Sequence, residues 1–495
     1  MQVRKLTNRR EFLRLAALGG ASAAILAACS SPAPQQAEPT KPAAAAPTTA
    51  PAAAKPTEAA KPTEAAKPTV APAAKAPSGE KVSIRYGTFW PAYRVEILNQ
   101  GLNLFKQQNP NIDVSIESLD ASQYRDKLAV NMAAGTTQDS FIIDVWTSAR
   151  YFDQNLMLEL SDRFKADGIV IKDQYSTIGL ENWCGKQFVI PFVLSPHAYY
   201  YNKTMLKANG APDPWDDLKG EWTWADMVTI GKAVSGKKNK QNQPMWGYRI
   251  TYNNLEYQLS PFVQSNGGKV YDLEQKKYTM DDPKAIEAIK FVYDMTVNQK
   301  IVLPLSEATT LNQAGIAAPF ASGITAMEED STGRIYFNSQ TIKSDFEWDI
   351  APIPAAQKGG KGISHMDGDP NAVFVKTPKA DQAYTWIKFL GGKDFQGILS
   401  KNKLLLPALK SAASDPEGFL KPPPAHLDVF VKAAATGIPS FYQYNGLEAG
   451  RIFQNYLEQA FLGKISVEDA MKTATKEANA KVELGGCKQS PPLVS

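Results

Sequence analysis

The sequence has few of the residues that most often build catalytic and metal sites. It contains three histidines and three cysteines among 495 residues. His197, His365 and His426 are far apart in the chain, whereas protein zinc sites need several nitrogen or sulfur ligands. We therefore expect no metal and no cofactor, and we interpret each histidine as a surface or loop residue.

Outside its first residues, the chain has no excess charge of either sign. The formal net charge is +4, and residues 1–28 carry five basic side chains and one acidic side chain. The remaining chain has 49 of each sign. A protein that binds nucleic acid needs a basic face for the phosphates. The sequence therefore predicts no nucleic-acid partner.

The common catalytic motifs are also missing. The chain has no G-x-x-x-x-G-K-[ST] phosphate loop, no G-x-S-x-G elbow and no H-E-x-x-H helix. Carboxylates cluster at 328–330 and 367–369, but a glycosidase needs two carboxylates about 5–10 Å apart across a sugar. We interpret both clusters as polar turns and do not predict an enzyme. A cell-surface glycoside-active enzyme is the weakest alternative.

The N-terminus has the order of features typical of a bacterial export signal. Arg9 and Arg10 form a twin-arginine pair, and the apolar stretch after them is too short to cross a bilayer comfortably. Leu26-Ala27-Ala28-Cys29 resembles a lipobox. We predict that 1–28 is a twin-arginine lipoprotein signal peptide. Lipid on Cys29 would then anchor the protein to the outer face of the cytoplasmic membrane.

A low-complexity segment follows the predicted anchor. Between residues 30 and 78, eleven of 49 residues are proline, and most of the others are Ala, Thr, Lys and Glu. Regular prolines break helices, and this composition has little apolar surface to bury. We predict that 29–79 is an extended tether with a reach on the order of 150 Å.

Sequence periodicity predicts an α/β fold from residue 80 onward. Alternating apolar residues and a short apolar run predict strands at 82–86, 112–116 and 141–145, separated by helices at 96–108 and 124–134. This order predicts a parallel sheet with helices on both faces. More than 400 residues without an internal linker favour two interleaved lobes.

Capping residues predict three later helix starts. Asp282 precedes a proline at the first helical position, Asp381 precedes an apolar stripe, and Ser466 opens a capping box with Asp469.

Several aromatic residues follow predicted strands or lie in asparagine-containing polar stretches. Trp90 follows the first strand and Trp146 the third, while Tyr257 and Tyr442 lie beside asparagines. Open α/β sheets bind ligands beyond the carboxyl ends of their strands. A ring next to hydrogen-bonding groups suits a sugar, which has an apolar face and polar hydroxyls.

Many short motifs follow one another along the chain. They are Asn109-Pro110, Ala133-Ala134-Gly135-Thr136, Tyr200-Tyr201-Asn202-Lys203, Trp222-Thr223-Trp224, Asn266-Gly267-Gly268, Ala351-Pro352-Ile353-Pro354 and the segment from Leu462 to Ala470. Their order resembles that of a known family, the extracellular solute-binding proteins of ABC importers, sugar-binding family 1. The resemblance covers about residues 80 to 480.

The resemblance implies an α/β, two-lobe periplasmic-binding-protein-like fold of type II, with a ligand cleft between the lobes. The N-terminal lobe would comprise 80–193 plus 352–405, and the C-terminal lobe 194–351 plus 406–495. It also implies a monomeric receptor that binds a mono- or oligosaccharide and delivers it to an ABC permease.

The family pattern places a set of ligand contacts in the cleft. They are Trp90, Trp146, Thr147, Ser195, Tyr257, Glu329, Asp330, Ser331, Asp367, Asp369 and Tyr442. The run 328–330 is more acidic than the usual family turn. A non-sugar solute, such as a polyamine or a glycerol-phosphate ester, is therefore the main alternative cargo.

Cys184 and Cys487 remain as a possible disulfide, because cysteines outside the cell are exposed to oxidising conditions.

Overall fold

The computed structural model describes residues 80–143, 145, 148–440 and 446–483. All of them belong to one compact unit, Lys75–Ser495. The predictions for the signal peptide, the lipidated Cys29 and the tether lie outside the described residues. Within the part of the chain that is described, no helix combines the length and the apolar character needed to cross a membrane.

The chain begins with the predicted alternation of strands and helices. The elements are β1 (Val82–Thr88), α1 (Ala92–Gln108), β2 (Ile112–Ser118), α2 (Ala121–Ala134) and β3 (Ser140–Ile142). β1 pairs in parallel with both β2 and β3, as predicted. Gly135 ends α2 with φ 73°, a left-handed conformation that glycine adopts without strain.

The remaining elements extend this start into a large mixed structure. The other strands are β4 (Val189–Asn202), β5 (Trp246–Arg249), β6 (Tyr271–Asp272), β7 (Lys277–Tyr278), β8 (Thr325–Ser331), β9 (Trp348–Ala351), β10 (His365–Val373), β11 (Leu406–Pro407) and β12 (Ile438–Pro439). The other helices are α3 (Ser148–Asp153), α4 (Ser161–Asp167), α5 (Ile171–Gln174), α6 (Lys203–Asn209), α7 (Trp224–Val234), α8 (Ser260–Ser265), α9 (Pro283–Tyr293), α10 (Leu305–Gln313), α11 (Gly333–Ile342), α12 (Ala380–Gly391), α13 (Lys393–Asn402), α14 (Lys410–Ala413), α15 (Asp428–Thr436), α16 (Leu447–Phe461) and α17 (Val467–Lys481). Single π-helical turns cover Leu255–Leu259 and Asp294–Asn298.

The main sheet is mixed, so the prediction of a purely parallel sheet is wrong at its centre. Its strand order is β2-β1-β3-β10-β4-β8-β5. β10 is antiparallel to both β3 and β4, and β4 is antiparallel to β8. The strand at the centre of this mixed arrangement is β4, which runs through both halves of the sheet. Its beginning pairs with β10 and β11, and its end pairs with β8 and β9.

The burial of β4 marks where the two halves meet. Thirteen of its fourteen residues are buried, as expected for a strand covered on both faces. The exception is Ser195, which is partly exposed. Leu406 and Pro407 pair with Leu194 and Val193 directly beside it. The sheet therefore opens to solvent at Ser195.

The helix starts follow the capping predictions with one exception. The Asp282 side chain accepts from the amide of Lys284, and Ser466 accepts from the amide of Asp469. Asp381 is not an N-cap, because α12 begins one residue before it. Its carboxylate lies 2.7 Å from Arg163 instead.

Candidate functional site

A cavity of about 430 Å³ opens beside Ser195, and we call it the cleft. Its walls come from segments that follow β1 and β5, from the end of β8 and from β10. Since β5 and β8 are parallel, their carboxyl ends meet at the same edge of the sheet. The cleft therefore lies where open α/β sheets place their ligands.

The cleft brings together six of the residues predicted to bind ligand. They are Ser195, Tyr257, Asp330, Ser331, Asp367 and Asp369. Asp367 lies opposite Ser195 in the β10–β4 register, and Ser331 is the last residue of β8. The ligand contacts themselves remain predictions.

Tyr257 is held in the cleft by contacts on three sides. Its amide donates to the Asn254 side chain at 3.0 Å, and its hydroxyl donates to Asp367 Oδ2 at 3.1 Å. Its ring lies parallel to the His197 ring, with centroids 5.6 Å apart. The ring and a carboxylate thus face the same space.

Trp90 lies beneath the cleft wall rather than on its surface. Its relative exposure is 0%, and its ring stacks on Phe192 with centroids 5.0 Å apart. The indole Nε1 donates to Asp369 Oδ2 at 3.2 Å. The expectation that this ring faces a ligand is therefore not met in this conformation, and Trp90 positions Asp369 instead.

Glu329 is likewise buried below the cleft, in contact with a histidine. Its Oε1 lies 2.5 Å from His197 Nδ1, and the Gln258 amide group donates to its other oxygen. Burial raises the pKa of Glu329. Burial alone would lower the pKa of His197, but the Glu329 carboxylate raises it. The pKa values of both groups are raised, so one proton stays on the pair. The short contact between the two side chains holds His197 in place.

The interpretation of the histidines as surface or loop residues is wrong for the two nearest the cleft. His197 is 5% exposed and His365 is 1% exposed, and their rings meet edge to face at 5.2 Å. Burial and the charge of His197 hold the pKa of His365 well below its usual range. His426 is partly buried and stacks on Trp215 at 4.1 Å. These partners come from distant elements, so no local spacing indicates them.

The acidic run 328–330 is neutralised by arginines that the sequence analysis missed. Arg249 Nη1 lies 2.6 Å from Glu328 Oε1, and Arg334 Nε lies 2.7 Å from Asp330 Oδ2. Both arginines also line the cleft. Arg249 is the last residue of β5, so the strand-end rule that selected the aromatics could have found it.

Three predicted ligand contacts, Trp146, Thr147 and Tyr442, lie outside the described residues. Cys487 does too. Cys184 is disulfide-bonded, and its pairing with Cys487 stays a prediction. Within the described ranges, no group of three or more His, Cys, Asp or Glu side chains is placed to hold a metal ion.

A second cavity of about 770 Å³, here called the larger cavity, is lined by residues from 161–187 and 264–274. None of the predicted ligand-binding residues that the structure describes lines it. Glu181 does, and it is 3% exposed. Burial raises the pKa of Glu181 to about 7.

Residues 91–397 match the family model of bacterial extracellular solute-binding proteins. The chain belongs to this family. A curated Brucella abortus relative, named only as a binding protein, is 24% identical over 397 residues, which are 76% of this chain and 87% of the relative.

Solved structures with the same fold include several sugar complexes. An ABC substrate-binding protein of Listeria monocytogenes in complex with cycloalternan has a TM-score of 0.69 at 19% identity, covering 81% of this chain and 99% of that protein. Maltose-bound MalE3 of T. maritima gives 0.66 at 22% identity, covering 81% and 100%. These likenesses confirm the predicted α/β, two-lobe periplasmic-binding-protein fold.

Proposed function

We propose that this family member is a lipid-anchored extracytoplasmic receptor. It binds a mono- or oligosaccharide in the cleft and delivers it to an ABC permease. The observation that carries the proposal is the meeting of the Tyr257 ring, Asp367 and Ser195 in one cavity between the halves of the sheet. A ring stacks on the apolar face of a sugar, and carboxylates form charge-assisted hydrogen bonds with its hydroxyls.

The pairing of charges favours a saccharide over a polyamine. A polyamine is repelled by cationic side chains, and Arg249 and Arg334 both line the cleft, where they already pair with Glu328 and Asp330. Solved structures of similar proteins support the same class, since they hold cycloalternan and maltose as bound molecules.

The proposed lobes follow the ranges given by the sequence analysis, 80–193 plus 352–405 and 194–351 plus 406–495. Closure of such lobes around a solute is a hinge motion. We also keep Trp146, Thr147 and Tyr442 in the proposed site. The protein acts as a monomer and binds its cargo without converting it.

The test is a thermal unfolding panel on the full chain with saccharides, polyamines, amino acids and glycerol phosphates. A ligand at 100 times its Kd stabilises the folded state by about 2.7 kcal/mol. We expect a shift in Tm with at least one saccharide, and we expect chromatography to recover that saccharide unchanged. A shift only with polyamines, or hydrolysis of the saccharide, would overturn the proposal.

Lipid anchoring needs a separate test. In cells given a radiolabelled fatty acid, the wild-type chain should acquire label and sediment with membranes. Cys29→Ser should lose both properties, while Cys184→Ser should keep the label. Label on Cys29→Ser would show that the anchor is elsewhere.

A further inference from the structure

Arg94 enters the cleft from the first turn of α1 and reaches the opposite half of the sheet. It lines the cleft, and its Nη2 would lie only 2.8 Å from a Cβ placed on residue 333. Gly333 is the first residue of α11. Because glycine has no Cβ, the guanidinium fits between the start of α1 and the start of α11.

The pairing of Arg94 differs from that of its neighbours in the cleft. Arg249 and Arg334 each form an ion pair with a carboxylate. Arg94 Nε donates to the Tyr93 hydroxyl at 3.2 Å, and its guanidinium lies 5.9 Å from the Trp90 ring centroid. Among the described residues, Arg94 forms no ion pair with a carboxylate. The contacts that the structure describes for this guanidinium are with the aromatic side chains of Tyr93 and Trp90.

The chemistry of this group selects one kind of anion. A guanidinium forms two parallel hydrogen bonds with a planar carboxylate, and its single positive charge then balances the single negative charge of that carboxylate. A phosphate monoester carries about −1.5 to −2 at neutral pH and would call for more than one such cation, whereas Arg249 and Arg334 are already paired with carboxylates. Across the cleft, Asp367 and Asp369 supply carboxylate oxygens, which are groups that accept hydrogen bonds from hydroxyls.

We infer that the cleft selects a carbohydrate that carries a carboxylate, namely a uronic acid or an oligosaccharide containing one, with its carboxylate on Arg94. This inference rests on the proposed function. The hydroxyls of the same sugar bond to the aspartate side of the cleft. Neutral sugars that differ only by a hydroxymethyl group in place of the carboxylate bind more weakly.

The experiment titrates the full chain by calorimetry with matched saccharide pairs. The pairs are glucuronate with glucose, digalacturonate with galactobiose, and cellobiouronate with cellobiose. We expect at least one acidic member to bind ten times more tightly than its neutral partner. That preference should weaken as salt rises, because exposed charges are screened.

Three variants separate the role of Arg94 from general effects. Arg94→Gln should remove the preference, so that the acidic and the neutral member of a pair bind with similar affinity, and Arg94→Lys should restore part of it. Arg85→Gln is the matched control, because Arg85 pairs with Glu117 away from the cleft. The Tm of each variant without ligand shows whether it folds.

The outcomes distinguish this inference from the proposed function. Tight binding of neutral sugars with no acidic preference overturns the inference and leaves the receptor in place. An acidic preference that survives in Arg94→Gln also overturns the inference. Failure of every saccharide, acidic or neutral, overturns the proposed function itself.

Discussion

The two cavities differ in size and in how their charged groups are paired. The larger cavity is about 770 Å³ and the cleft about 430 Å³. Beneath the cleft, Glu329 is paired with His197 at 2.5 Å. In the wall of the larger cavity, Glu181 accepts from the backbone amides of Ile178 and Gly179, and none of the described residues forms an ion pair with it.

This contrast teaches that the two cavities differ more in the pairing of their charged groups than in volume alone. Buried charges are costly unless they are paired, so a protein keeps them where they position something. Beneath the cleft, the paired His197 stacks on Tyr257, whose hydroxyl contacts Asp367. In the larger cavity, burial favours the neutral form of Glu181, and nothing there resembles the converging set in the cleft.

The largest expected effect comes from breaking the buried pair under the cleft. Glu329→Ala leaves the buried His197 ring without its partner, and removing one member of a buried pair typically costs about 3–5 kcal/mol. The free energy of unfolding in urea at pH 7 measures this cost. Glu117→Ala is the control, because its pair with Arg85 is solvent-exposed and worth about 0–1 kcal/mol. Equal losses of unfolding free energy in the two variants would show that the buried His197–Glu329 pair contributes no more to stability than the exposed pair does.

A smaller effect should appear in the pH dependence set by the larger cavity. The pKa of Glu181 is about 7 in the folded protein, above its unfolded value of about 4.3. Its contribution to stability is therefore complete below about pH 4 and is lost as the pH rises through 7.

Glu181→Gln stays neutral and should not show this loss. Relative to wild type, the variant should gain about 2–3 kcal/mol between pH 4 and pH 8 in unfolding experiments. Glu159→Gln is the control, since Glu159 forms an exposed pair with Lys186. Wild-type and Glu181→Gln curves that stay parallel across this range would contradict the assignment.

The smallest expected effect is a change in saccharide affinity when one tyrosine in each cavity is replaced. Tyr257→Ala should weaken saccharide binding at least tenfold, about 1.4 kcal/mol, because it removes the ring and the bond to Asp367. Tyr271→Ala, which loses a hydroxyl contact to the Pro439 carbonyl in the larger cavity, should change the affinity less than twofold. Calorimetry measures the saccharide affinity of both variants. A larger loss of affinity in Tyr271→Ala than in Tyr257→Ala would place the saccharide in the larger cavity.

The sequence predicts the local elements of the fold well and its central connections poorly. Periodicity and caps locate β1 through α2, since each signal involves residues close in the chain. The mixed sheet could not be predicted in this way. The antiparallel pairing of β10 with β4 joins residues about 170 apart, and no local pattern encodes that partner.

The residues of the candidate site also differ in how far the sequence predicts them. Tyr257, Asp367 and Asp369 are predicted from the family resemblance, and the structure brings them together. The burial of Trp90 and the pairing of His197 with Glu329 do not follow. Both depend on which side chain from a distant element fills the space beneath the cleft.

The most direct test is a crystal structure of the full chain with the saccharide that gives the largest shift in Tm. The account predicts electron density for the sugar in the cleft, in contact with Tyr257 and Asp367 and bordered by Ser195. Density for the sugar in the larger cavity, with the cleft empty, would contradict it.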